Sequence, residues 1–185
     1  MTTYRPAITG TRHTIVSGHY LATSAGFQIL EAGGNAVDAG CATGIALSVL
    51  QSELVNFAGV APIILYDAQT DHVHTISGLG SWPKRIRSDL FAEQFNGQIP
   101  ENILRTVVPA APDSWLTALE LFGTMSFSEV SEAARRFASE GFVMYPLMAE
   151  NIDRHSKDFR RWESNSEIYL PNGRPPIVGE IFIQS

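Results

Sequence analysis

The hydrophobic pattern of residues 19–66 predicts two helices followed by a buried strand, and the rest of the chain is organised around them. Small and apolar residues recur at helical spacing before Gly33-Gly34, where the first helix is expected to end: Ala22, Ala25, Ile29 and Leu30. The second helix, about Ala36 to Leu50, is apolar nearly all round, which predicts a core helix. It is too short for a membrane span. The continuous apolar run Ile63–Tyr66 predicts a strand covered on both faces.

Outside this region the pattern predicts further strands and helices. The expected elements are a short strand at Thr14–Ser17, a hairpin strand at His72–Ser77, a helix from a Ser88 cap through Phe95, a helix from Pro112-Asp113 to Gly123, a helix from a Ser126–Glu129 capping box to Gly141, and a helix from Tyr145-Pro146 through about Phe159. A strand that feeds a helix fits a layered α/β architecture. The apolar, extended segment 178–184 is of a kind that usually needs more protein to cover it.

Composition and charge narrow the class of protein. The chain has 185 residues, 44% of them hydrophobic and 17% charged, which suits one globular domain over 1–185 with no internal boundary. The net charge of −6 comes without a basic stripe, which argues against a nucleic-acid partner. No charged start followed by an apolar run is visible at the N-terminus, so a cytoplasmic protein without a membrane partner is expected.

Several candidate chemistries find little support in the residues. Cys41 lies in the apolar helix without an evident base or positive charge, so it is expected to be a small buried residue rather than a catalytic thiol. His72 and His74 share one face of a strand, but a metal needs a third ligand that the neighbouring sequence does not supply. The glycines at 78–80 are not followed by a phosphate-binding motif, and Lys84, Arg85 and Arg87 are expected to form a solvated face. No metal and no cofactor are therefore predicted.

One longer string is more specific. Leu30-Glu31-Ala32-Gly33-Gly34-Asn35-Ala36-Val37-Asp38-Ala39 resembles the signature near the start of the gamma-glutamyltransferase large subunit, whereas Gly-Gly-Asn alone would indicate only a helix–helix turn. Further similar segments follow in the same order as in that family: Val108-Pro109 with Ser114-Trp115-Leu116, Phe122–Phe127, Ala133–Phe142, Leu170–Gly173 and Gly179-Glu180.

The resemblance implies an N-terminal-nucleophile hydrolase with αββα layers of sheet and helix, incomplete in this chain. In that family the precursor cuts itself, and the small subunit begins with a threonine whose hydroxyl attacks the substrate amide with its own amino group as base. That threonine lies beyond this chain, and Thr2 and Thr3 are at the wrong end, so no catalytic residue is assigned here. The expected partners are the remainder of the large subunit, the small subunit and a small-molecule amide.

Two departures from the family pattern bear on the substrate. If Pro83 matches the family's Ala-Pro motif, Leu79 stands where the family carries the arginine that binds the gamma-glutamyl carboxylate, and leucine cannot form that bidentate pair. Residues 56–62 also lack the family's run of glycines. We therefore expect a gamma-glutamyltransferase-like amidase for other amides, with two segments as walls of its pocket. The candidate substrate-binding residues are Leu79, Gly80, Ser81 and Trp82 in the 78–83 loop, with Asn56–Gly59 as the second wall.

Three alternatives stay open. Trp82 could serve in ordinary packing rather than in binding. The protein could be a true glutathione hydrolase or transpeptidase in which Arg85 or Arg87 binds the carboxylate. The chain could also be an inactive fragment or an interaction module, and the isolated chain is then expected to expose apolar surface.

Overall fold

The computed structural model describes residues 7–87 and 89–184. The chain forms two compact units. The hairpin unit comprises Phe57–Ala118, and the helical unit comprises the residues up to Asn56 together with those from Leu119 onwards. The expectation of one domain without an internal boundary stays a prediction.

The helices and strands follow one another in this order: α1 Tyr20–Glu31, α2 Ala36–Leu50, β1 Ile63–Asp67, β2 His72–Ile76, α3 Leu90–Phe95, α4 Ala111–Phe122, α5 Phe127–Glu140, β3 Phe142–Val143, α6 Pro146–Arg154, α7 Ser156–Phe159, α8 Glu163–Tyr169 and β4 Ile181–Phe182. Short 3₁₀ turns lie at Ile103–Arg105 and Pro171–Gly173. The predicted second helix is confirmed with its bounds, and α1, α3, α4 and α5 are confirmed to within a few residues.

Small residues bring α1 and α2 close together in the core of the helical unit. Gly26 of α1 lies so near α2 that a Cβ there would be 2.8 Å from the carbonyl oxygen of Ala39. Such close contact between backbones requires small side chains, and α2 supplies them. The buried residues of α2 include Ala39, Cys41, Ala42, Ile45, Ala46 and Leu50. The prediction of a core helix is therefore confirmed.

The turn between α1 and α2 is fixed by Asn35 and Asp38. The side-chain oxygen of Asn35 accepts hydrogen bonds from the N–H groups of Val37 (2.8 Å) and Asp38 (3.1 Å), which caps α2. The Asn35 amide donates to the carbonyl oxygen of Phe122 at 2.6 Å. The Asp38 carboxylate accepts from the Asn35 N–H at 2.8 Å and so completes a capping box.

Asp38 also joins α2 to the segment that follows α4. Its carboxylate is fully buried and accepts the N–H and hydroxyl of Thr124, at 2.9 and 2.6 Å, and the N–H of Met125 at 3.1 Å. Burial by itself would raise the pKa of Asp38, but the hydrogen bonds from Thr124, Asn35 and Met125 outweigh it and lower that pKa. The string 30–39 is therefore a structural joint whose polar groups are satisfied within the fold.

A capping box also begins α5, as the sequence predicts. The Ser126 hydroxyl accepts from the N–H of Glu129 at 3.3 Å, and the Glu129 carboxylate accepts from the N–H of Ser126 at 2.8 Å. Gly141, with φ of +86°, ends the helix and turns the chain into β3. Strand β3 pairs antiparallel with β4, so the extended segment near the end of the chain is partly covered, and Phe182 is buried.

In the hairpin unit, β1 and β2 form the predicted antiparallel hairpin, with Tyr66 opposite Val73. The expectation that β1 is covered on both faces is wrong for the described residues. Ile63 and Leu65 are half-buried, whereas Ile64 is 76% exposed and Tyr66 is also exposed. The sheet has two strands in the described part of the chain, and only one of its faces is partly buried.

Two further expectations need correction. No strand forms at Thr14–Ser17 in the described residues, because the segment finds no partner strand there, although His13, Ile15 and Ser17 alternate as half-buried positions. The helix predicted through Phe159 is interrupted at His155, whose φ and ψ of −103° and 13° separate α6 from α7. The predicted cap Ser88, and Thr2 and Thr3, lie outside the described residues.

Candidate functional site

The 78–83 loop is fixed in the hairpin unit by contacts at its glycines. The Gly78 carbonyl oxygen accepts from the N–H of Ala61 at 3.1 Å, and Gly78 has a φ of +58°, which favours glycine. A Cβ on Gly80 would lie 2.6 Å from the carbonyl oxygen of Val108, so the backbone of the loop rests directly against that residue. The loop thus has a defined place beside the 60–62 and 106–110 segments.

The second predicted wall is attached to the start of α4. The carbonyl oxygen of Gly59 accepts from the N–H groups of Ala110 and Ala111 at 2.9 and 3.1 Å. The buried Ser114 hydroxyl donates to the carbonyl oxygen of Ala61 at 2.5 Å. Ser114 was not singled out from the sequence as part of the site, since a serine in the first turn of a helix carries no signal of a partner 53 residues away.

The structure brings two predicted segments, Phe57–Gly59 and 78–83, into the same unit. Leu79 is 61% exposed and Trp82 is 67% exposed, and Ser81 is exposed while Gly80 is half-buried. Ordinary packing within the described residues therefore does not account for Trp82. Asn56, the first residue of the other predicted wall, belongs to the helical unit.

The cations that follow the loop differ in their partners. Arg87 forms an ion pair with Asp89, through Nε to Oδ1 at 3.0 Å, and lies 3.7 Å from the carboxylate of Glu93. The hydrogen bond with Asp89 raises the pKa of Arg87, and that with Arg87 lowers the pKa of Asp89. Arg85 is exposed and forms no ion pair within the part of the chain that is described.

A second polar cluster lies in the helical unit around Tyr145. Its hydroxyl oxygen is 3.0 Å from the carbonyl oxygen of Leu50 and 3.0 Å from Oε1 of Glu53. The other carboxylate oxygen of Glu53 is buried and has no hydrogen-bond partner among residues 7–87 and 89–184. Burial raises the pKa of Glu53, and burial with the nearby charge of Glu53 raises that of Tyr145. One hydroxyl proton cannot serve both acceptors fully, so the Leu50 carbonyl oxygen and Oε1 of Glu53 compete for it.

Three residues were considered above for thiol or metal chemistry: Cys41, His72 and His74. Cys41 is buried, and burial, with the charge of Asp38, raises its pKa to about 12, which leaves the nucleophilic thiolate scarce near neutral pH. The rings of His72 and His74 lie 6.4 Å apart on β2. In the described ranges no group of three or more His, Cys, Asp or Glu side chains is placed to hold a metal ion. No helix there is long and apolar enough to cross a membrane.

Comparison with known proteins turns the resemblance into an assignment. The family model described as gamma-glutamyltranspeptidase matches residues 22–185, which is most of the chain. The chain belongs to the gamma-glutamyltranspeptidase family. The matched range includes Asn35, Asp38, the 78–83 loop and the start of α4.

Curated relatives within this family carry more than one activity in their names. The chain is 35% identical over 193 residues to an acylase ACY 1 proenzyme from Pseudomonas sp. (strain V22), covering 98% of this chain and 34% of the relative. It is 30% identical over 178 residues to the glutathione hydrolase-like YwrD proenzyme of Bacillus subtilis (strain 168), covering 96% and 34%. The chain thus spans about a third of the length of these relatives.

Solved structures of the family support the fold. The crystal structure of cephalosporin acylase from Bacillus halodurans superposes with a TM-score of 0.80 at 25% identity, over 99% of this chain and 37% of that one. The predicted α/β fold class of the N-terminal-nucleophile hydrolase type is confirmed, and the chain carries a part of it.

Proposed function

We propose that this chain is the N-terminal part of a self-processing amide hydrolase of the gamma-glutamyltranspeptidase family, in which it forms one wall of the substrate pocket. The observation that carries the proposal is the family match over residues 22–185, combined with relatives that are named proenzymes and are about three times as long. The remainder of the large subunit and a small subunit are then its partners, and a cytoplasmic location stays part of the proposal.

The reaction would be acyl transfer from an amide to water or to an amine. A threonine at the start of the small subunit attacks the amide carbon through its hydroxyl oxygen, and its free amino group accepts the hydroxyl proton. The C–N bond breaks, and the amine leaves with that proton. Water or an acceptor amine then cleaves the acyl ester and restores the threonine. This chain supplies no catalytic residue in this scheme; its role is to bind and orient the acyl group.

The substrate-binding residues of the proposal are Leu79, Gly80, Ser81 and Trp82. If Pro83 matches the proline of the family's Ala-Pro motif, Leu79 stands at the position of the carboxylate-binding arginine, which would favour an amide other than a gamma-glutamyl amide. The similarity to an acylase agrees with this preference. Arg87 pairs with Asp89 and lies near Glu93, so a substrate carboxylate would have to compete with these exposed ion pairs for it.

A second candidate function is that of a true glutathione hydrolase or gamma-glutamyl transpeptidase. Two observations favour it: the relative named glutathione hydrolase-like at 30% identity, and Arg85, which is exposed without an ion pair in the described part of the chain. Efficient turnover of gamma-glutamyl-p-nitroanilide by the full-length protein, lost in an Arg85→Ala variant, would establish it.

The first test is an intact-mass spectrum of the denatured native preparation. A second, co-purifying chain with an N-terminal threonine is expected for a processed hydrolase. A single 20.2 kDa species would refute the two-chain proposal and favour the inactive fragment or interaction module. A Leu79→Arg variant is then expected to shift the substrate preference toward gamma-glutamyl amides, and an unchanged profile would count against the alignment at this position.

A further inference from the structure

The hydroxyl of Ser114 makes a contact unlike that of the other buried helical hydroxyls. Among the described residues, four serine or threonine side chains in helices are buried: Thr43, Ser48, Ser114 and Ser131. Three of them donate to a carbonyl oxygen of their own helix, three or four residues earlier, as helical hydroxyls commonly do. The Ser114 hydroxyl instead donates to the carbonyl oxygen of Ala61, 53 residues earlier, at 2.5 Å. It therefore joins two separate parts of the hairpin unit.

Ala61 connects this contact to the 78–83 loop. The N–H of Ala61 donates to the carbonyl oxygen of Gly78 at 3.1 Å. Gly78 is buried, and a Cβ on it would overlap the Ala61 carbonyl group and lie 2.6 Å from the nitrogen of Pro62. The Ser114 hydroxyl, the two polar backbone groups of Ala61 and the backbone of Gly78 thus form one continuous series of contacts. A shift of the Ala61 carbonyl group would be felt directly at Gly78.

The remaining contacts of this region are made by the backbone. The carbonyl oxygen of Gly59 accepts from two backbone N–H groups at the start of α4, at 2.9 and 3.1 Å. The backbone of Gly80 rests against the carbonyl oxygen of Val108. The 78–83 loop is therefore fixed at both of its glycines, and the contact at the first of them depends on a side-chain hydroxyl. A single substitution at Ser114 can remove that hydroxyl without altering the backbone contacts.

We propose that Ser114 is a positioning residue of the substrate pocket, whose hydrogen bond to Ala61 holds the 78–83 loop in the place where it binds the acyl group. The inference rests on the proposed hydrolase function, in which this loop is one wall of the pocket. Ser114 is only 1% exposed, so it acts through Ala61 and Gly78 rather than on the substrate. Without the hydroxyl, the partly buried Ala61 carbonyl loses its donor, and displaced positions of the loop become populated.

The effect on the loop is measured in the full-length protein without substrate. Ser114→Ala should accelerate amide hydrogen exchange at Ala61 about tenfold, as the loss of one buried hydrogen bond would give. Ser48→Ala makes the same chemical change at a buried serine whose hydroxyl bonds within its own helix. Leu116→Gly weakens α4 without removing the Ser114 hydroxyl, because glycine is a poor helix former. Both controls should change exchange at Ala61 by less than about threefold.

Turnover by the full-length protein tests the consequence for the substrate. The assay uses gamma-glutamyl-p-nitroanilide or phenylacetyl-p-nitroanilide, whichever the wild type hydrolyses faster. Ser114→Ala should raise KM about three- to tenfold and leave kcat within about twofold, because the loop holds the acyl group and not the bond that breaks. Ser48→Ala and Leu116→Gly should leave both constants within about twofold. When Ser114→Ala is combined with Leu79→Ala, the two effects on kcat/KM should be less than additive, since a displaced loop no longer holds Leu79 in place.

The outcomes separate this inference from the hydrolase proposal. If the wild type hydrolyses neither anilide, the hydrolase proposal loses its support, and exchange at Ala61 alone decides whether Ser114 holds the loop. If the wild type is active, an unchanged KM in Ser114→Ala overturns the inference and leaves the hydrolase proposal intact. An equal rise of KM in Leu116→Gly would also overturn it, because any weakening of α4 would then have the same effect. Strictly additive effects of Ser114→Ala and Leu79→Ala would contradict it as well.

Discussion

Replacing Asp38 by alanine should loosen the joint between α2 and the segment that follows α4. The carboxylate is fully buried and accepts hydrogen bonds from the N–H groups of Asn35, Thr124 and Met125 and from the Thr124 hydroxyl. A buried donor left without an acceptor costs about 1–3 kcal/mol. Since Thr124 is exposed and Asn35 and Met125 are half-buried, water can reach part of the freed donors. We therefore expect a loss of about 2–4 kcal/mol, less than the sum of the separate terms.

The direct assay is amide hydrogen exchange at Thr124 and Met125, whose N–H groups bond to Asp38. If exchange proceeds by local opening, a loss of this size accelerates it by about thirtyfold to several hundredfold. The urea midpoint should fall as well, with little change in slope. The control is Asp153→Ala, since Asp153 is exposed on α6 and its removal should change stability by no more than about 0.5 kcal/mol.

A second variant, Asp38→Asn, separates charge from shape. The side-chain NH2 group of asparagine is a hydrogen-bond donor and would face the donors that now bond to the Asp38 carboxylate. Most of the stabilisation should therefore be lost, although the side-chain volume is preserved. The pKa of Asp38 is lower in the folded protein than in the unfolded chain. The stability difference between the wild type and Asp38→Asn is therefore fully present above the unfolded pKa, near 4, and is lost as the pH falls through the folded pKa. The reasoning is refuted if Asp38→Ala exchanges at Thr124 and Met125 no faster than Asp153→Ala.

Three further predictions concern titratable groups. Because burial raises the folded pKa of Glu53, ionisation lowers stability as the pH rises above 4.5, so Glu53→Gln should raise the melting temperature at pH 7 and not at pH 4. His19 caps α1 by accepting from the N–H of Leu21 through Nδ1, and its pKa is lowered by burial. Wild-type stability should therefore fall as the pH drops below 6.5, and this fall should be absent from the melting curves of His19→Asn. The Cys41 thiol, with a pKa of about 12, should resist iodoacetamide at pH 8 in the folded protein and react after unfolding, as mass spectrometry will show.

Elements that depend on neighbouring residues could be predicted from the sequence. The capping box at Ser126, the core helix α2 and the β1–β2 hairpin arise from residue types a few positions apart. The helix expected through Phe159 failed in detail because nothing in the local pattern marks the break at His155. Helix α8, Glu163–Tyr169, was missed for the same reason: it is short and polar, and its hydrophobic period is weak.

The candidate site was less accessible to sequence reasoning. The loop residues Leu79, Gly80, Ser81 and Trp82 were predicted through the family motif and stay a prediction, and their exposure could not be read from the motif. The neighbours that fix the loop are far away in sequence: Val108 lies against Gly80, and Ser114 bonds to Ala61. Neither contact can be predicted from hydrophobic periodicity or composition, because Val108 and Ser114 are common residue types for the loop and the helix in which they lie.

By itself, the sequence determined the family, the fold class, most helices and the absence of charge from the 57–62, 78–83 and 106–112 segments. These are properties of residue type and local spacing, and they persist whatever the chain packs against. The tertiary structure alone decided that Asp38 is satisfied by Thr124 and Met125. It also decided that, among residues 7–87 and 89–184, Thr14–Ser17 finds no partner strand and one face of the hairpin is left open. Such features depend on groups brought together from distant parts of the chain, and a hydrogen bond or a buried face exists only when its partner is in place.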